Sequence, residues 1–154
     1  MAALLPTKFY LPPAPTGFVP RPHLEKELDE ALTHRLTLVS APAGAGKTTL
    51  ISTWVQSVHA RGAIIGWLGL DESDNDPGLF LDYLIGALEE GGLLIDTTLI
   101  PPGYSSRAQM ESPLAEFIRG IMPFNRELVL ILDDYHLIQN KEIHATIGFL
   151  IEHA

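Results

Sequence analysis

The chain has no cysteine, few basic residues and no long apolar run, and each absence excludes a class of protein. Without cysteine it has no disulfide, no thiolate metal ligand and no thiol nucleophile. Ten lysines and arginines against nineteen acids give a formal charge of −9, which argues against a nucleic-acid surface because neutralising phosphates needs clustered cations. No stretch approaches the roughly 18 apolar residues of a membrane helix, and the N-terminus lacks a signal-peptide pattern. We therefore expect a soluble, cytoplasmic chain without membrane contacts.

The prolines are concentrated at the start, where residues 1–22 hold six of the twelve. Because proline fixes φ and donates no backbone hydrogen bond, we predict an extended arm over residues 1–21 and a domain over residues 22–154. Apolar periodicity in that domain predicts helices that begin near Pro22, Lys47 and Pro77, a helix over 112–122, and a last helix through Ile143 and Ile151. The same patterns predict strands over Leu36–Ser40, Ala63–Leu70 and Leu128–Leu132, and a loop over 93–112.

The predicted strands and helices alternate, which is typical of an α/β domain with a parallel sheet between two layers of helices. The last strand, in "ELVLILDD", is apolar at every position from Leu128 to Leu132, as expected for burial on both faces. A typical sheet has about five or six strands, and only three are predicted here. We therefore expect part of a larger domain, truncated after the third strand and the helix that follows it.

The stretch "SAPAGAGKTTL" matches the phosphate-binding pattern G-x-x-x-x-G-K-[ST] except at its first glycine. In such a loop the backbone N–H groups of Ala43, Gly44, Ala45 and Gly46 wrap a phosphate, and the following helix adds its positive N-terminal end. Lys47 reaches the β- and γ-phosphates, and the Thr48 hydroxyl ligates Mg²⁺. The alternative is a turn rich in glycine and alanine with an incidental GKT, but the predicted strand before it and helix after it favour a nucleotide site.

The missing glycine is at position 41, where the chain has alanine. Because this position is the entry to the turn, we expect Ala41 to have a negative φ and to cost only one methyl group. We expect Gly44 and Gly46 to supply the positive φ values that the loop needs.

A pair of acids ends the last predicted strand, in "LVLILDDY". A carboxylate at this position holds Mg²⁺ in the second half of a phosphate-loop site. We assign Asp133 to Mg²⁺ and Asp134 to positioning or polarising water, so that Lys47 and Asp134 are the catalytic candidates. The alternative is that both acids simply begin a loop.

The remaining motifs are weaker indications of function. "DESDNDPG" resembles a calcium loop but has Asp76 at its sixth position and Asp82 at its twelfth, so we predict a capped helix start at Asp76 and Pro77 instead. The six histidines show no ligand spacing, and only His136, near the acids, is of interest. Arg21 either reaches the base or phosphates of a nucleotide or is a solvated surface arginine.

Four stretches in order carry a resemblance that covers nearly the whole chain: "TKFYLPPAPTGFVPRPHLEKEL", "RLTLVSAPAGAGKTTLISTWV", "GWLGLDESDNDPGLFLDYLIGAL" and "LVLILDDYHLIQNKEIHATIGFLIEH". Together they resemble the N-terminal nucleotide-binding domain of the MalT-like activators. These are large, ATP-dependent, LuxR-type transcriptional regulators of the STAND class of P-loop ATPases. Alanine at position 41 is this family's own form of the loop.

The resemblance implies a three-layer P-loop NTPase fold of the AAA+/STAND type. It implies that residues Ala43 to Thr49 form the phosphate loop and that Asp133 and Asp134 form the second acid motif. It also implies that Val19 and Arg21 lie near the base of the nucleotide. A sensing arginine is expected beyond Ala154. The implied cofactors are ATP or ADP with Mg²⁺.

The implied function is a regulatory switch that holds ADP at rest, exchanges it for ATP, self-associates and resets by slow hydrolysis. DNA would be bound through a C-terminal helix-turn-helix domain outside this chain. Without the remaining parts we expect weak nucleotide binding and negligible hydrolysis by the chain itself. A stand-alone P-loop ATPase or kinase, and an interaction scaffold with a vestigial nucleotide site, are the alternatives.

Overall fold

A computed structural model describes residues 4–13, 15–93 and 127–153. The helices are α1 (Pro22–Ala31), α2 (Lys47–Ala60), α3 (Pro77–Glu90) and α4 (Lys141–His153), and the strands are β1 (Ile64–Gly69) and β2 (Leu128–Asp133). Three short 3₁₀ turns span Pro6–Phe9, Glu72–Asn75 and Tyr135–Leu137. The chain divides into two compact units. We call residues 11–63 the loop unit, and residues 4–10 with the described residues from 64 onward the sheet unit.

The two strands of the sheet unit are parallel, in a register that pairs Ile64 with Leu128 and Gly69 with Asp133. Both predicted strands are therefore confirmed, and their carboxyl ends lie at the same edge of the sheet. Most of β1 is buried, but in β2 only Ile131 is, and its other residues are half-buried. This differs from the expected burial on both faces, because Leu128, Leu130 and Leu132 pack against the core but are only partly covered by it.

Helix α3 packs closely on β1 and supplies half of the buried core residues of the sheet unit. Its start is as predicted, since the Asp76 side chain accepts a hydrogen bond from Leu79 N–H (2.8 Å) and Pro77 takes the first turn. A Cβ atom on Gly66 would lie 2.8 Å from a methyl of Leu88, so the glycine in β1 permits the close approach of the helix. Phe80 and its neighbours in α3 are buried on nearly every side.

The predicted strand Leu36–Ser40 is wrong, since these residues form no strand. Leu36 and Leu38 are exposed, Leu38 by 84%. The physical reason is that a strand requires a partner for its N–H and C=O groups, and the loop unit contains no other strand among its described residues. The predicted helix over 112–122 and nearly all of the predicted loop over 93–112 lie outside the described residues.

The start of the chain is attached to the sheet unit. The Lys8 side chain is buried there, and the Phe9 ring meets the Tyr83 ring edge-on at 5.9 Å between centroids. The predicted extended arm therefore includes a 3₁₀ turn. Among the described residues, no helix is both long enough and apolar enough to span a membrane.

Candidate functional site

The predicted phosphate loop has the backbone conformation that the sequence predicts. Gly44 and Gly46 lie in the left-handed region, with φ of 76° and 83°, and Ala41 does not have a positive φ. The Ala45 N–H donates to Pro42 O (3.2 Å) and closes a tight turn. A Cβ atom on Gly44 would meet nothing within 4 Å, so the tip of the loop faces open space. The expectation for Ala41 and both glycines is confirmed.

Lys47 folds back onto this loop. Its Nζ donates to Ala41 O (2.7 Å) and to Pro42 O (3.3 Å), and the side chain is half-buried. Helix α2 begins at the same residue, and its regular bonding pattern starts with Leu50 N–H donating to Gly46 O (2.9 Å). The amides of residues 47–49, which include Thr48 and Thr49, precede that bond at the positive end of the helix.

Arg21 also contacts the loop. It precedes α1, and its Nη1 donates to Ala45 O (3.2 Å). A Cβ atom on Gly46 would lie 3.9 Å from Nη2 of the same arginine. Arg21 is an exposed arginine that contacts the loop, and its reach toward a nucleotide stays a prediction. Val19 is 75% exposed, and Ala43 is exposed at the loop tip.

The Asp29 side chain links α1 to α2 and to the residue that follows α2. Its Oδ1 accepts hydrogen bonds from Trp54 Nε1 (2.9 Å) and from Arg61 Nη2 (2.6 Å). The Arg61 bond, and then the Trp54 bond, lower the pKa of Asp29. Sequence patterns did not predict this contact, because the partners are 25 and 32 residues apart.

In the sheet unit, the acid pair lies where β2 ends. Asp133 is the last strand residue and is half-buried, and Asp134 is exposed in the left-handed region (φ 57°, ψ 30°). Asp134 is the only non-glycine with positive φ among the described residues, and its N–H donates to Asp133 Oδ1 (3.1 Å). His136 Nδ1 lies 3.8 Å from Asp134 Oδ1, so this histidine is near the acids as expected. We name residues 133–137 the acid turn.

The acid turn is joined to α4 through Tyr135. The Tyr135 hydroxyl and His144 Nδ1 are 2.7 Å apart, and the two rings meet edge-on. Burial raises the pKa of Tyr135.

The segment that follows β1, residues 71–76, forms with Lys8 a partly buried ion cluster that sequence analysis missed. Lys8 Nζ lies 2.7 Å from Asp71 Oδ2 and 2.5 Å from Asp74 Oδ2. Asp74 is 0% exposed, and its Oδ2 also accepts from Asp71 N–H (2.8 Å). The other oxygen, Asp74 Oδ1, is buried without a hydrogen-bond partner among the described residues.

The charges in this cluster shift each other's protonation. The hydrogen bond from Lys8, followed by that from Ser73, lowers the pKa of Asp71 to about 2. Burial lowers the pKa of Lys8, but its bonds to Asp71 and Asp74 outweigh burial, and the net shift is upward. Asp71 and Lys8 are therefore both charged throughout the neutral range.

Asn75, next in the same segment, is bonded to the residues that follow the acid turn. Its Nδ2 donates to Leu137 O (3.0 Å) and Glu72 O (3.1 Å). Its Oδ1 accepts from Gln139 N–H (2.6 Å) and Asn140 N–H (3.0 Å), and its carbonyl oxygen accepts from Asn140 Nδ2 (2.9 Å). These bonds join the segments that follow β1 and β2.

The residues present fit the groups that the sequence predicts. Two left-handed glycines, an open loop tip and a lysine at a helix N-terminus suit a phosphate. Among the described residues no three histidines or acids group as metal ligands, but Mg²⁺ bound with a nucleotide needs only one or two carboxylates beside phosphate oxygens. Thr48 lies in the loop unit and Asp133 in the sheet unit, so their joint role at Mg²⁺ stays a prediction.

Parallel strands with flanking helices, and a glycine-containing loop at a helix start, define an α/β protein with a candidate phosphate site. No protein-family model matches the chain. It is 36%, 37% and 36% identical over 152 residues to the HTH-type transcriptional regulator MalT of Serratia proteamaculans (strain 568), Cronobacter sakazakii (strain ATCC BAA-894) and Yersinia enterocolitica serotype O:8 / biotype 1B, respectively. The alignments cover 97% of this chain and 16% of each relative. The chain belongs to the MalT-like family, as its motifs indicated.

Proposed function

We propose that this chain is the nucleotide-binding part of a transcriptional regulator and binds ATP or ADP with Mg²⁺. The observation that carries the proposal is the loop itself: Gly44 and Gly46 with positive φ, and Lys47 at the start of α2 with its Nζ on the loop carbonyls. The role in regulation is supported by the relatives, which are HTH-type transcriptional regulators.

Each predicted residue has a role in this proposal. The loop amides from Ala43 to Thr49 and the Lys47 ammonium bind phosphates, and Arg21 and Val19 lie toward the rest of the nucleotide. Thr48 and Asp133 hold Mg²⁺, which neutralises phosphate charge, and Asp134 positions water. Nucleotide exchange, self-association and slow hydrolysis belong to the larger protein, and DNA binding belongs to its helix-turn-helix domain.

Binding is tested by titrating the chain with fluorescent ADP and ATP in the presence of Mg²⁺. We expect saturable binding that weakens by about tenfold or more in Lys47→Ala, since about 1.4 kcal/mol of lost phosphate contact has that effect. Lys26, exposed on α1, provides the matched control Lys26→Ala, which should bind as the unchanged chain does. Circular dichroism checks that each variant folds.

The outcomes separate the alternatives. Binding with little or no turnover supports a switch module. Rapid multiple turnover by the chain alone favours a stand-alone ATPase or kinase instead. If neither nucleotide binds, the scaffold alternative stands. If Lys47→Ala binds equally well, the assignment of the phosphate loop is wrong.

A further inference from the structure

We propose that Asn75 is a positioning residue that fixes the acid turn, residues 133–137, against the segment that follows β1. The inference deepens the proposed function and rests on it, because the acid turn matters chemically only if Asp133 and Asp134 serve a nucleotide with Mg²⁺. Its structural half, the link between Asn75 and the acid turn, is testable without any nucleotide.

The first step is the bonding capacity of Asn75. A primary amide offers two N–H donors and one acceptor oxygen, and in Asn75 all three functions are used. An asparagine on a surface turn has no need of five hydrogen bonds, most of them to residues more than sixty positions away. The Asn75 side chain therefore links the segment that follows β1 to the segment that follows β2, and it does more than stabilise a local turn.

The second step is the short path from Asn75 to the acids. Asn75 Nδ2 donates to Leu137 O, and the N–H of the same Leu137 donates to Asp134 O (3.0 Å). The next residue, Ile138, is buried and donates its N–H to Tyr135 O (3.0 Å). Two successive hydrogen bonds thus connect Asn75 to the backbone of Asp134, which has a left-handed conformation that needs support from its surroundings.

The third step is the anchorage of Asn75 itself. The preceding residue, Asp74, is fully buried and holds both Lys8 Nζ and the Asp71 N–H on one oxygen. The 3₁₀ turn Glu72–Asn75 is therefore held from the side of Lys8, and it presents Asn75 to the acid turn from a fixed position.

A purely structural role is the competing explanation, because Asn75 also bonds Asn140, whose Oδ1 caps the start of α4 by accepting from Glu142 N–H (2.9 Å). The two explanations differ in one measurable property. Loss of general stability weakens nucleotide binding with and without Mg²⁺ alike. Displacement of the acid turn weakens only the part of the affinity that Mg²⁺ adds.

The experiment measures nucleotide affinity in Mg²⁺ and in chelator for the unchanged chain, Asn75→Ala, and Gln56→Ala as an exposed amide control. For Asn75→Ala we expect the gain from Mg²⁺ to fall about fivefold or more while the affinity in chelator changes by less than about twofold. Gln56→Ala should behave as the unchanged chain. Equal losses in both conditions, or no loss, would overturn the proposal.

Amide hydrogen exchange provides the readout that does not depend on nucleotide. The N–H groups of Leu137 and Ile138, which bond the acid turn and not Asn75, should exchange about tenfold faster in Asn75→Ala. Unchanged exchange overturns the link even if nucleotide binds. If nucleotide does not bind at all, the proposed function fails, and the exchange result still decides whether Asn75 fixes the turn.

A second variant guards against loss of folding. Asn75→Asp keeps the oxygen that accepts from Gln139 and Asn140 but replaces the donor to Leu137 O with another acceptor. We expect the same selective loss of the Mg²⁺ gain and the same faster exchange. If Asn75→Asp matches the unchanged chain in both, the bond to Leu137 has no positioning role.

Discussion

Gly46 joins the candidate phosphate loop to α2 with a φ of 83°, in a region that residues with a Cβ atom enter at a cost of about 1–2 kcal/mol. Gly62, just beyond the end of α2, has a φ of 97° and open space around its missing Cβ. The two glycines therefore share a conformational requirement, but only Gly46 belongs to the candidate site.

This contrast gives a matched prediction. Gly46→Ala and Gly62→Ala should each lower the free energy of unfolding by about 1 kcal/mol, because both force alanine into the left-handed region. Only Gly46→Ala should also weaken ADP binding, since it displaces the amides at the start of α2. Urea unfolding and nucleotide titration of both variants measure this, and equal losses of affinity would show that Gly46 has no special relation to the nucleotide.

At the scale of elements, the helix boundaries were predictable because their signals are local. Asp76 and Pro77 start α3 within a few residues of each other, and Gly44, Gly46 and Lys47 form a contiguous motif. The strands β1 and β2 were also predictable from apolar runs. Leu36–Ser40 has the same kind of run but no partner strand in the loop unit, and a sequence pattern does not contain the partner.

The contacts that organise the site were not predictable for a related reason. Lys8 meets Asp71 across 63 positions, and Asn75 meets Asn140 across 65. In the sequence Lys8 stands in a proline-rich arm, where a solvated lysine is the usual expectation. Only the fold brings these residues together, so the sequence indicated the loop and the acids but not what holds them.

The attachment of the first 3₁₀ turn to the sheet unit through Lys8 can be tested by Lys8→Met. This change leaves the buried Asp74 without its cation, which should cost about 3 kcal/mol of unfolding free energy. Lys141, exposed at the start of α4, supplies the control Lys141→Met, with an expected change below about 0.5 kcal/mol.

The pH dependence of the Lys8→Met effect follows from the two pKa shifts. The pKa of Asp71 is lowered from 3.8 to about 2, so its contribution is present above 3.8 and is lost as pH falls toward 2. The pKa of Lys8 is raised from 10.5, so its contribution is full below 10.5 and is lost only at higher pH. The difference in free energy of unfolding between the unchanged chain and Lys8→Met should be constant near neutrality and become smaller in acid. A difference that grew as the pH fell below 3.8 would contradict this assignment.

For the whole molecule, the predicted site residues are distributed over two compact units: the candidate phosphate loop and Arg21 belong to the loop unit, and the acid turn belongs to the sheet unit. Each unit carries its own hydrogen-bonded support, Asp29 in the loop unit and the Lys8–Asp74–Asn75 group in the sheet unit. The chain spans 16% of the length of its MalT relatives, so the response to an inducer and the contact with DNA are properties proposed for the larger protein.

The charge of the whole chain leads to the last prediction. With ten basic residues against nineteen acids and a net charge of −9, the chain should repel the phosphates of duplex DNA, because counterion release requires clustered Lys and Arg. We expect no change in the anisotropy of a labelled duplex at about 50 mM salt, a condition that favours even non-specific binding. A basic DNA-binding protein titrated in parallel verifies the probe. Saturable binding that weakened as salt was raised would instead reveal a phosphate-binding surface whose local charge overrides the acidic total, and it would assign to this segment a part of DNA recognition that its composition argues against.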